Sequence, residues 1–282
     1  MKETININKE SRERISSEIV LHFFRHSKKE KTNPTDDNLT HLSNEGKKLA
    51  KENCFKDVKL NQSVAFGSPR VRSQETALLM MAGENDEITG DESLQELKDK
   101  IEEDLSFGSK IGINKGLDFT DDVSSPLGSK VYDSYVKGEY LDLLTNESDK
   151  ITKETGDNTE ANLSAKASKV AKMIEKYIKI SPKWNALVND KDGKYEPKME
   201  RFFGTHASVP ESFIIKLLLT LNREDEVKEY ADFYHNEVDY LKGFDVDIID
   251  DKENIALVIT YDLGDQKRRL EITKEDLEKI CE

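Results

Sequence analysis

The chain has 282 residues, and hydrophobic and charged side chains each make up 35% of its composition. A formal net charge of -14 argues against nucleic acid or an anionic membrane as the main partner, because both are negatively charged. The length exceeds that of one average domain, but an α/β domain with insertions can accommodate it, and the composition is that of a soluble protein with a modest core.

The N-terminal segment 1–17 is polar and charged, and it has no apolar stretch of the kind found in signal peptides. We expect it to form an exposed arm. No later segment reaches membrane-spanning length, so we predict a cytoplasmic protein without a membrane or nucleic-acid partner. Cys54 and Cys281 are far apart and lack the spacing of metal ligands, which favours two free thiols.

The first predicted strand is the apolar run 19–24, and it is followed directly by Arg25 and His26. Ligands of open α/β sheets bind at the carboxyl ends of the strands. Burying a guanidinium group without a partner is unfavourable. The Arg-His pair therefore predicts an anionic ligand beside the end of this strand.

The next segments alternate between helix and strand. A polar loop over 27–42 leads to a helix with Ser43 as its N-cap, and Gly46 near its start indicates a close approach to another backbone segment. A strand over 63–67 and a helix over 71–81 follow. This alternation is typical of βαβ units, which build a parallel sheet.

The middle of the chain, from about 83 to 160, is predicted to be an inserted cap. It contains a helix over 132–144 and a polar linker over 148–158. The segment 159–180 then has the clearest helical periodicity of the chain. Its apolar residues on one face are Leu163, Ala167, Val170, Ile174 and Ile178.

The C-terminal part begins with a third apolar strand, which ends at His206. We expect a helix over 210–221 after it, and then an acidic helical stretch to about residue 242. Two strand-like runs, 255–261 and 267–272, flank a Gly-Asp turn and predict a β-hairpin at a sheet edge.

Four short motifs occur in order along these elements. Arg-His follows the first strand, Leu-Ser-x-x-Gly-x-x-x-Ala begins at Leu42, Ser-Pro-x-x-Arg-x-x-x-Thr-Ala begins at Ser68, and Thr-His ends the third strand. Together they resemble the histidine phosphatase superfamily, whose fold is phosphoglycerate mutase-like. We therefore expect a single α/β domain over 18–282, with a mainly parallel central sheet, helices on both faces, an inserted cap and a C-terminal hairpin.

The resemblance implies a role for each motif residue. His26 would be the nucleophile that forms a phosphohistidine, while Arg25, Arg72 and His206 would bind the phosphoryl oxygens. Such a reaction needs no metal ion or other cofactor. The motif spacing selects Arg72 rather than Arg70, and Arg70 is predicted to be a solvated loop residue.

A carboxylic acid is also expected near the leaving oxygen. The resemblance points to Glu96, which stands in a Leu-x-Glu context after the second motif, although the glycine and the Glu-Gly pair usual in the family are missing. Glu211, five residues after His206, is a second candidate. Ala207 stands where the acid-phosphatase branch of the family has an aspartate, which argues against that branch.

The sequence thus predicts hydrolysis of a phosphomonoester in a small molecule or a phosphoprotein, while the oligomeric state is not indicated. Two alternatives stay open: a mutase-type phosphotransferase, and a weakly active or inactive relative that binds a phosphorylated ligand or a protein. Of the other histidines, His22 is predicted to be a core residue, whereas His41 and His235 are predicted to lie at the surface.

Overall fold

The computed structural model describes residues 15–31, 36–103, 110–118, 124–157, 159–190 and 192–281. Most of the predicted N-terminal arm and parts of the predicted cap lie outside these ranges. Within them, seven strands form one sheet: β1 (Ser17–Arg25), β2 (Ser63–Gly67), β3 (Ile111–Ile113), β4 (Lys198–Thr205), β5 (Gly243–Asp250), β6 (Ile255–Leu263) and β7 (Gln266–Ile272).

The sheet has a parallel half and an antiparallel half. Its strand order is β3-β2-β4-β1-β5-β6-β7. The first four strands in this order pair in parallel, and β5, β6 and β7 extend the sheet by antiparallel pairing. Because β1 and β4 run side by side in the same direction, Arg25 is paired with Thr205 and both strands end at the same edge.

Ten α-helices occur in the part of the chain that the structure describes. They are α1 (Asn44–Glu52), α2 (Val71–Ala82), α3 (Leu94–Glu103), α4 (Pro126–Lys137), α5 (Tyr140–Asn146), α6 (Ser148–Thr155), α7 (Leu163–Val188), α8 (Val209–Thr220), α9 (Glu224–Tyr234) and α10 (Lys274–Cys281).

The helices cover both faces of the sheet. Phe23 belongs to a core shared with α7, α8 and α10, whereas the next residue, Phe24, belongs to a core shared with α1, α2 and α3. Successive side chains of a strand point to opposite faces, so β1 contributes to both cores. The α/β class, the two helical faces and the terminal hairpin of β6 and β7 are therefore confirmed.

The start of α1 matches its sequence signals. The hydroxyl oxygen of Ser43 accepts a hydrogen bond from the backbone N–H of Gly46 at 3.0 Å. A Cβ atom at Gly46 would lie 1.9 Å from the carbonyl oxygen of Lys28, so a larger residue would displace the loop that follows β1. The predicted close approach is confirmed, and it anchors the loop next to His26.

The predicted apolar face of α7 is buried, but the helix continues beyond the predicted end, past Pro182, to Val188. Proline removes a hydrogen bond inside a helix. Here tertiary contacts compensate, because Trp184 donates to the carbonyl oxygen of Pro197 at 3.0 Å and Asn185 donates to that of Asp250 at 2.7 Å.

Three segment predictions are wrong. The predicted helix over 132–144 is two helices, because Gly138 adopts a left-handed conformation with φ of 77° and ends α4. The predicted linker over 148–158 contains α6. The acidic helical stretch ends at Tyr234, and the unpredicted strand β5 follows from Gly243.

The strand β5 was missed because its apolar residues alternate with aspartates, which are unfavourable in strands. Phe244, Val246 and Ile248 are buried, whereas Asp245 and Asp247 are partly exposed. The alternation itself, rather than the residue preference, carried the strand signal.

No helix in the described ranges is both long and apolar enough to cross a membrane. Both cysteines are free thiols, as predicted, with Cys54 buried and Cys281 partly exposed. The division of the chain into an arm, a domain and a cap stays a prediction.

Candidate active site

A pocket of about 350 Å³ opens where β1 and β4 end. Arg25, His26, Arg72 and His206 all line it. The structure therefore brings together the four residues that the sequence motifs placed around a phosphate group. They arrive from the end of β1, the first turn of α2 and the end of β4.

His26 directly follows β1, and its backbone N–H donates to the carbonyl oxygen of Thr205 at 3.0 Å. Its ring Nδ1 lies 2.7 Å from the carbonyl oxygen of Ser27. Its other ring nitrogen, Nε2, lies 3.3 Å from Nε of Arg72. A carbonyl group only accepts and a guanidinium group only donates, so the proton belongs on Nδ1 and Nε2 is the free base.

The surroundings of His26 favour the neutral imidazole. Burial lowers the pKa of His26 to about 3; the positive charges of Arg72 and Arg25 act in the same direction, and the Ser27 carbonyl opposes them only in part. A neutral imidazole keeps the lone pair that a nucleophile needs. This ring is therefore ready to attack an electrophile without first losing a proton.

His206 lies close to His26, with 6.0 Å between the two ring centroids. Its backbone N–H donates to the carbonyl oxygen of Leu117 at 3.1 Å, and its Nδ1 lies 3.0 Å from that of Ala207. Desolvation, followed by the nearby charge of Arg70, lowers the pKa of His206 well below its usual value. Both histidines thus use Nδ1 to contact a backbone carbonyl and leave Nε2 for other partners.

Arg25 is 8% exposed and is positioned by three groups from one loop. Its Nη1 donates to the carbonyl oxygen of Val238 at 2.6 Å, and its Nη2 forms a short ion pair with Glu237. Its Cζ lies 4.4 Å from the ring centroid of Tyr240, in a cation–π arrangement. The guanidinium group is therefore fixed at the pocket wall before any ligand binds.

Arg72 is 1% exposed, and a loop carboxylate binds it. Its Nη2 lies 2.7 Å from Oδ2 of Asp37, and its Nη1 donates to the backbone carbonyl oxygen of Asp37 at 2.8 Å. Partial burial would raise the pKa of Asp37, but the bond from Arg72 and the charges of Lys29 and Arg70 lower it to about 2. Asp37 is therefore an anion that already binds the arginine expected to bind phosphate.

The prediction that Arg70 is a solvated loop residue is wrong. Its side chain is 11% exposed and forms ion pairs with Asp37 and with Asp118, the latter at 2.8 Å. The motif spacing selects Arg72 by its distance in sequence from Thr76 and Ala77. It could not include two acids that come from loops distant in sequence.

The side chain of Ser27 anchors the loop that follows β1. Its hydroxyl donates to the carbonyl oxygen of Gly46 at 2.7 Å, and its backbone N–H donates to Thr76 Oγ1 at 3.0 Å. The Thr76 hydroxyl in turn donates to the carbonyl oxygen of Arg72 at 2.7 Å. The segments that carry His26 and Arg72 are thus joined by a short chain of hydrogen bonds.

The structure does not bring Glu96 to this pocket. Glu96 is exposed in the first turn of α3, where its carboxylate accepts from the backbone N–H of Ser93 at 2.7 Å and its own N–H donates to the Ser93 hydroxyl. This is a capping box. The acidic Leu-x-Glu pattern therefore has a local helix-capping explanation here.

Glu211 is fully buried in the first turn of α8 and does not line the pocket. Burial raises the pKa of its carboxyl group to about 7. One carboxylate oxygen accepts from the backbone N–H of Val238 at 2.8 Å, and the carbonyl oxygen of Val238 accepts from Arg25. Glu211 is thus a supporting contact behind Arg25.

Sequence reasoning missed the acids that pair with the arginines and the aromatic wall of the pocket. Asp37 and Glu237 carried no motif, and each is recognisable only by its contact with an arginine. The tyrosines had a partial signal, because Tyr132, Tyr135 and Tyr140 follow closely in a segment with few other large apolar residues. Nothing in the sequence connected them with His26.

The class defined by this fold and site is an α/β protein with a histidine- and arginine-lined pocket at the edge of its sheet. No protein-family model matches the chain, and no curated protein matches it significantly. Among solved structures, a phosphoglycerate mutase from Bacillus anthracis str. Sterne is 14% identical, with a TM-score of 0.47, over 95% of this chain and 98% of that one.

Two further solved structures are similar over most of the chain. Mycobacterial hydrolase 1 is 12% identical, with a TM-score of 0.46, over 91% of this chain and 97% of that one. A phosphoserine phosphatase mutant from Entamoeba histolytica is 15% identical, with a TM-score of 0.41, over 85% of this chain and 94% of that one. At such low identities and TM-scores these matches do not indicate the activity of this chain.

Proposed function

We propose that this chain hydrolyses phosphomonoesters by way of a phosphohistidine on His26. The observation that most supports this proposal is the state of the His26 ring. Its Nδ1 is bound to a backbone carbonyl, its Nε2 is a free base, and guanidinium groups lie next to it. An unprotonated nucleophile beside fixed cations is the arrangement that phosphoryl transfer to nitrogen requires.

The reaction has two steps. In the first, Nε2 of His26 attacks the phosphorus, and the bond between phosphorus and the leaving oxygen breaks with its electron pair on that oxygen. In the second, water attacks the phosphorus, the P–N bond breaks, and phosphate is released. Arg25 and Arg72 donate to the phosphoryl oxygens, where negative charge is spread in the transition state. His206 joins them from Nε2 as an imidazolium, a form that the negative charge of the bound phosphate favours.

The phosphate group must compete with carboxylates that already bind both arginines. Asp37 is bound to Arg72, and Glu237 is bound to Arg25. A phosphate dianion offers more acceptor oxygens than one carboxylate, so it can take over these contacts. The carboxylates keep the two buried guanidinium groups paired until substrate arrives, which avoids the cost of an unpaired buried charge.

The leaving oxygen has no uncommitted carboxyl group beside it among the described lining residues. Neither Glu96 nor Glu211 lines the pocket, and Glu237 is the one carboxylate among the described residues that do. Oε1 of Glu237 is already engaged, because it is ion-paired with Arg25 and accepts from the Tyr135 hydroxyl at 2.9 Å. The site is therefore best suited to leaving groups that depart without a strong general acid.

The test is hydrolysis of p-nitrophenyl phosphate in the presence of EDTA, with wild-type protein and His26→Ala. Nitrophenolate leaves without protonation, so this substrate tests the nucleophile and the phosphate contacts alone. We expect EDTA-resistant activity in the wild type, its loss in the variant, and a phosphorylated His26 after rapid quenching and mass spectrometry. Equal activity in the two proteins, or none in either, would overturn the proposal and favour a protein that only binds phosphorylated ligands.

A further inference from the structure

Beyond the phosphate-binding groups, the wall of the pocket is aromatic. Tyr132 and Tyr135 come from α4, Tyr140 begins α5, and Tyr240 comes from the segment before β5. Val131 adds an aliphatic surface beside them. Four tyrosines in one pocket form a surface with large flat apolar faces.

Three of these rings are exposed although they line a concave site. Tyr132 is 61% exposed, Tyr135 is 45% exposed and Tyr240 is 36% exposed. A ligand that covers such rings removes apolar area from water, and an aromatic ligand also stacks favourably on them. The rings are thus available to a bound molecule, in contrast to the stacked phenylalanines of the core.

The aromatic surface begins next to the reacting atoms. The ring centroid of Tyr240 lies 6.3 Å from that of His26 and 4.4 Å from Cζ of Arg25. A group joined to phosphorus through a single oxygen would therefore reach this wall directly. A small hydroxyacid would leave most of the aromatic surface uncovered.

The charge on this wall disfavours an acidic leaving group. Glu237 lies among the tyrosines, and the hydroxyl of Tyr135 donates to it at 2.9 Å. The positive charge of Arg25 is already balanced by the same carboxylate. Lys29 also lines the pocket, but it is paired with Asp37 at 3.3 Å. A second phosphate or a carboxylate held against the tyrosines would therefore meet a neutral or negative surface.

Resting on the proposed phosphohistidine route, we infer that the substrate is a phosphate ester of an aromatic alcohol. A phenol ring would stack against Tyr132 and Tyr240 while its phosphate contacts the arginines. A phenol has a pKa of about 10, far below that of an aliphatic alcohol, so its oxygen leaves with little proton transfer. The aromatic wall and the absence of a free acid among the described lining residues thus favour the same substrate class.

The inference is tested by binding alone, with phenylphosphonate and methylphosphonate as ligands. Their P–C bonds are not hydrolysed, so calorimetry measures affinity without turnover. We expect wild-type protein to bind phenylphosphonate about tenfold more tightly than methylphosphonate, since the phenyl ring covers exposed aromatic surface. Tyr132→Ala is expected to lose most of this preference, and Tyr132→Phe to keep it because the ring remains.

Phe233→Ala is the matched control. Phe233 is a 54% exposed aromatic residue of α9 that does not line the pocket, so its removal should leave the preference unchanged. Equal affinity for the two phosphonates in the wild type, or a preference that Tyr132→Ala leaves intact, would overturn the inference. The catalytic proposal fails separately, when His26→Ala retains hydrolysis of p-nitrophenyl phosphate.

Kinetics with free phosphotyrosine and with a phosphotyrosyl peptide then distinguish a small aryl phosphate from a phosphotyrosine residue of a protein as the substrate. Similar kcat/KM values for both would support a small aryl phosphate as the substrate. A value at least tenfold higher for the peptide would support a protein substrate that also contacts the pocket rim. If phosphoserine were hydrolysed as fast as either of them, the preference for an aromatic alcohol would be refuted.

Discussion

His22 lies within β1 and His26 directly follows it, and the neighbours of the two rings carry opposite charges. His22, within β1, lies between acids, with Nδ1 2.8 Å from Oδ1 of Asp245 and Nε2 3.5 Å from Oε1 of Glu200. His26, just beyond the end of β1, lies between Arg25 and Arg72. Both rings are about 4% exposed, so burial does not distinguish them.

The neighbours decide which ring keeps a proton. Burial alone lowers the pKa of both rings, but at His22 the hydrogen bond to Asp245 and the nearby carboxylate of Glu200 outweigh it and raise the pKa. At His26 the charges of the arginines add to the effect of burial. The acids thus favour the protonated ring at His22, whereas the arginines favour the neutral ring at His26.

The largest expected effect is on catalysis. His26→Gln should lower kcat for p-nitrophenyl phosphate by at least about 10³-fold, because the amide cannot form the covalent intermediate. His22→Gln should stay within about threefold of the wild type, since His22 touches only its acidic partners and core rings. The measurement is steady-state kinetics at a temperature where circular dichroism shows both variants to be folded. A comparable loss in both variants would refute the division of roles.

A smaller effect is expected on the pH dependence of stability. The pKa of His26 is about 3 in the folded state and 6.5 in the unfolded state, so between these values only the unfolded chain binds the proton. The free energy of unfolding therefore falls as the pH falls below 6.5, by up to about 1.4 kcal/mol per pH unit. His26→Gln removes this loss. The difference in unfolding free energy between the variant and the wild type, measured by urea unfolding, should therefore shift in the variant's favour by about 2 kcal/mol from pH 7 to pH 5.

His22→Gln is the internal comparison for that measurement, and its sign is opposite. The pKa of His22 is raised in the folded state, so its contribution to stability is complete below 6.5 and is lost as the pH rises through the raised value. The variant should therefore be more destabilised at pH 6 than at pH 9. If the unfolding free energies of both variants, relative to wild type, changed with pH in the same direction, the neighbouring charges would not control the pKa values of the two rings.

The smallest expected effect concerns Asp37, the carboxylate that pairs with Arg72 beside His26. Asp37→Asn removes the carboxylate charge that competes with phosphate for Arg72, and it should strengthen competitive inhibition by inorganic phosphate about fivefold, which corresponds to about 1 kcal/mol. Asp36→Asn is the matched control, because within the described ranges the Asp36 side chain accepts the backbone N–H of Asn38 and forms no ion pair with an arginine. The same inhibition constant for wild type and Asp37→Asn would contradict the competition.

The elements around the pocket could be predicted because each carries its signal in adjacent residues. The apolar run of β1 ends at Arg25, Ser43 caps α1, and Thr205 ends β4 before His206. Strand ends of a parallel sheet meet at one edge, so three local patterns were enough to bring the histidines and arginines together.

The partners of these residues could not be predicted, because they depend on contacts between distant loops. Asp37 meets Arg72 and Glu237 meets Arg25 only after the sheet has formed. Glu96 shows that a local motif can also mislead. A glutamate in a short acidic motif at the start of a helix can serve as a helix cap rather than as a catalytic acid. Residues that belong to a motif within one segment could be recognised in the sequence, whereas contacts between residues of distant segments could not.

The position of β1 between β4 and β5 has a consequence for synthesis of the protein. Val20 pairs with Glu200 on one side and with Asp247 on the other, so β1 waits for two partners that are synthesised more than 170 residues later. At ribosomal rates of 5–20 residues per second, roughly 10 to 50 s pass before β5 is available. Until β4 is made, the apolar segment of β1 and the adjacent His26 lack both of their sheet neighbours, and the nascent chain exposes an apolar segment of the kind that chaperones bind.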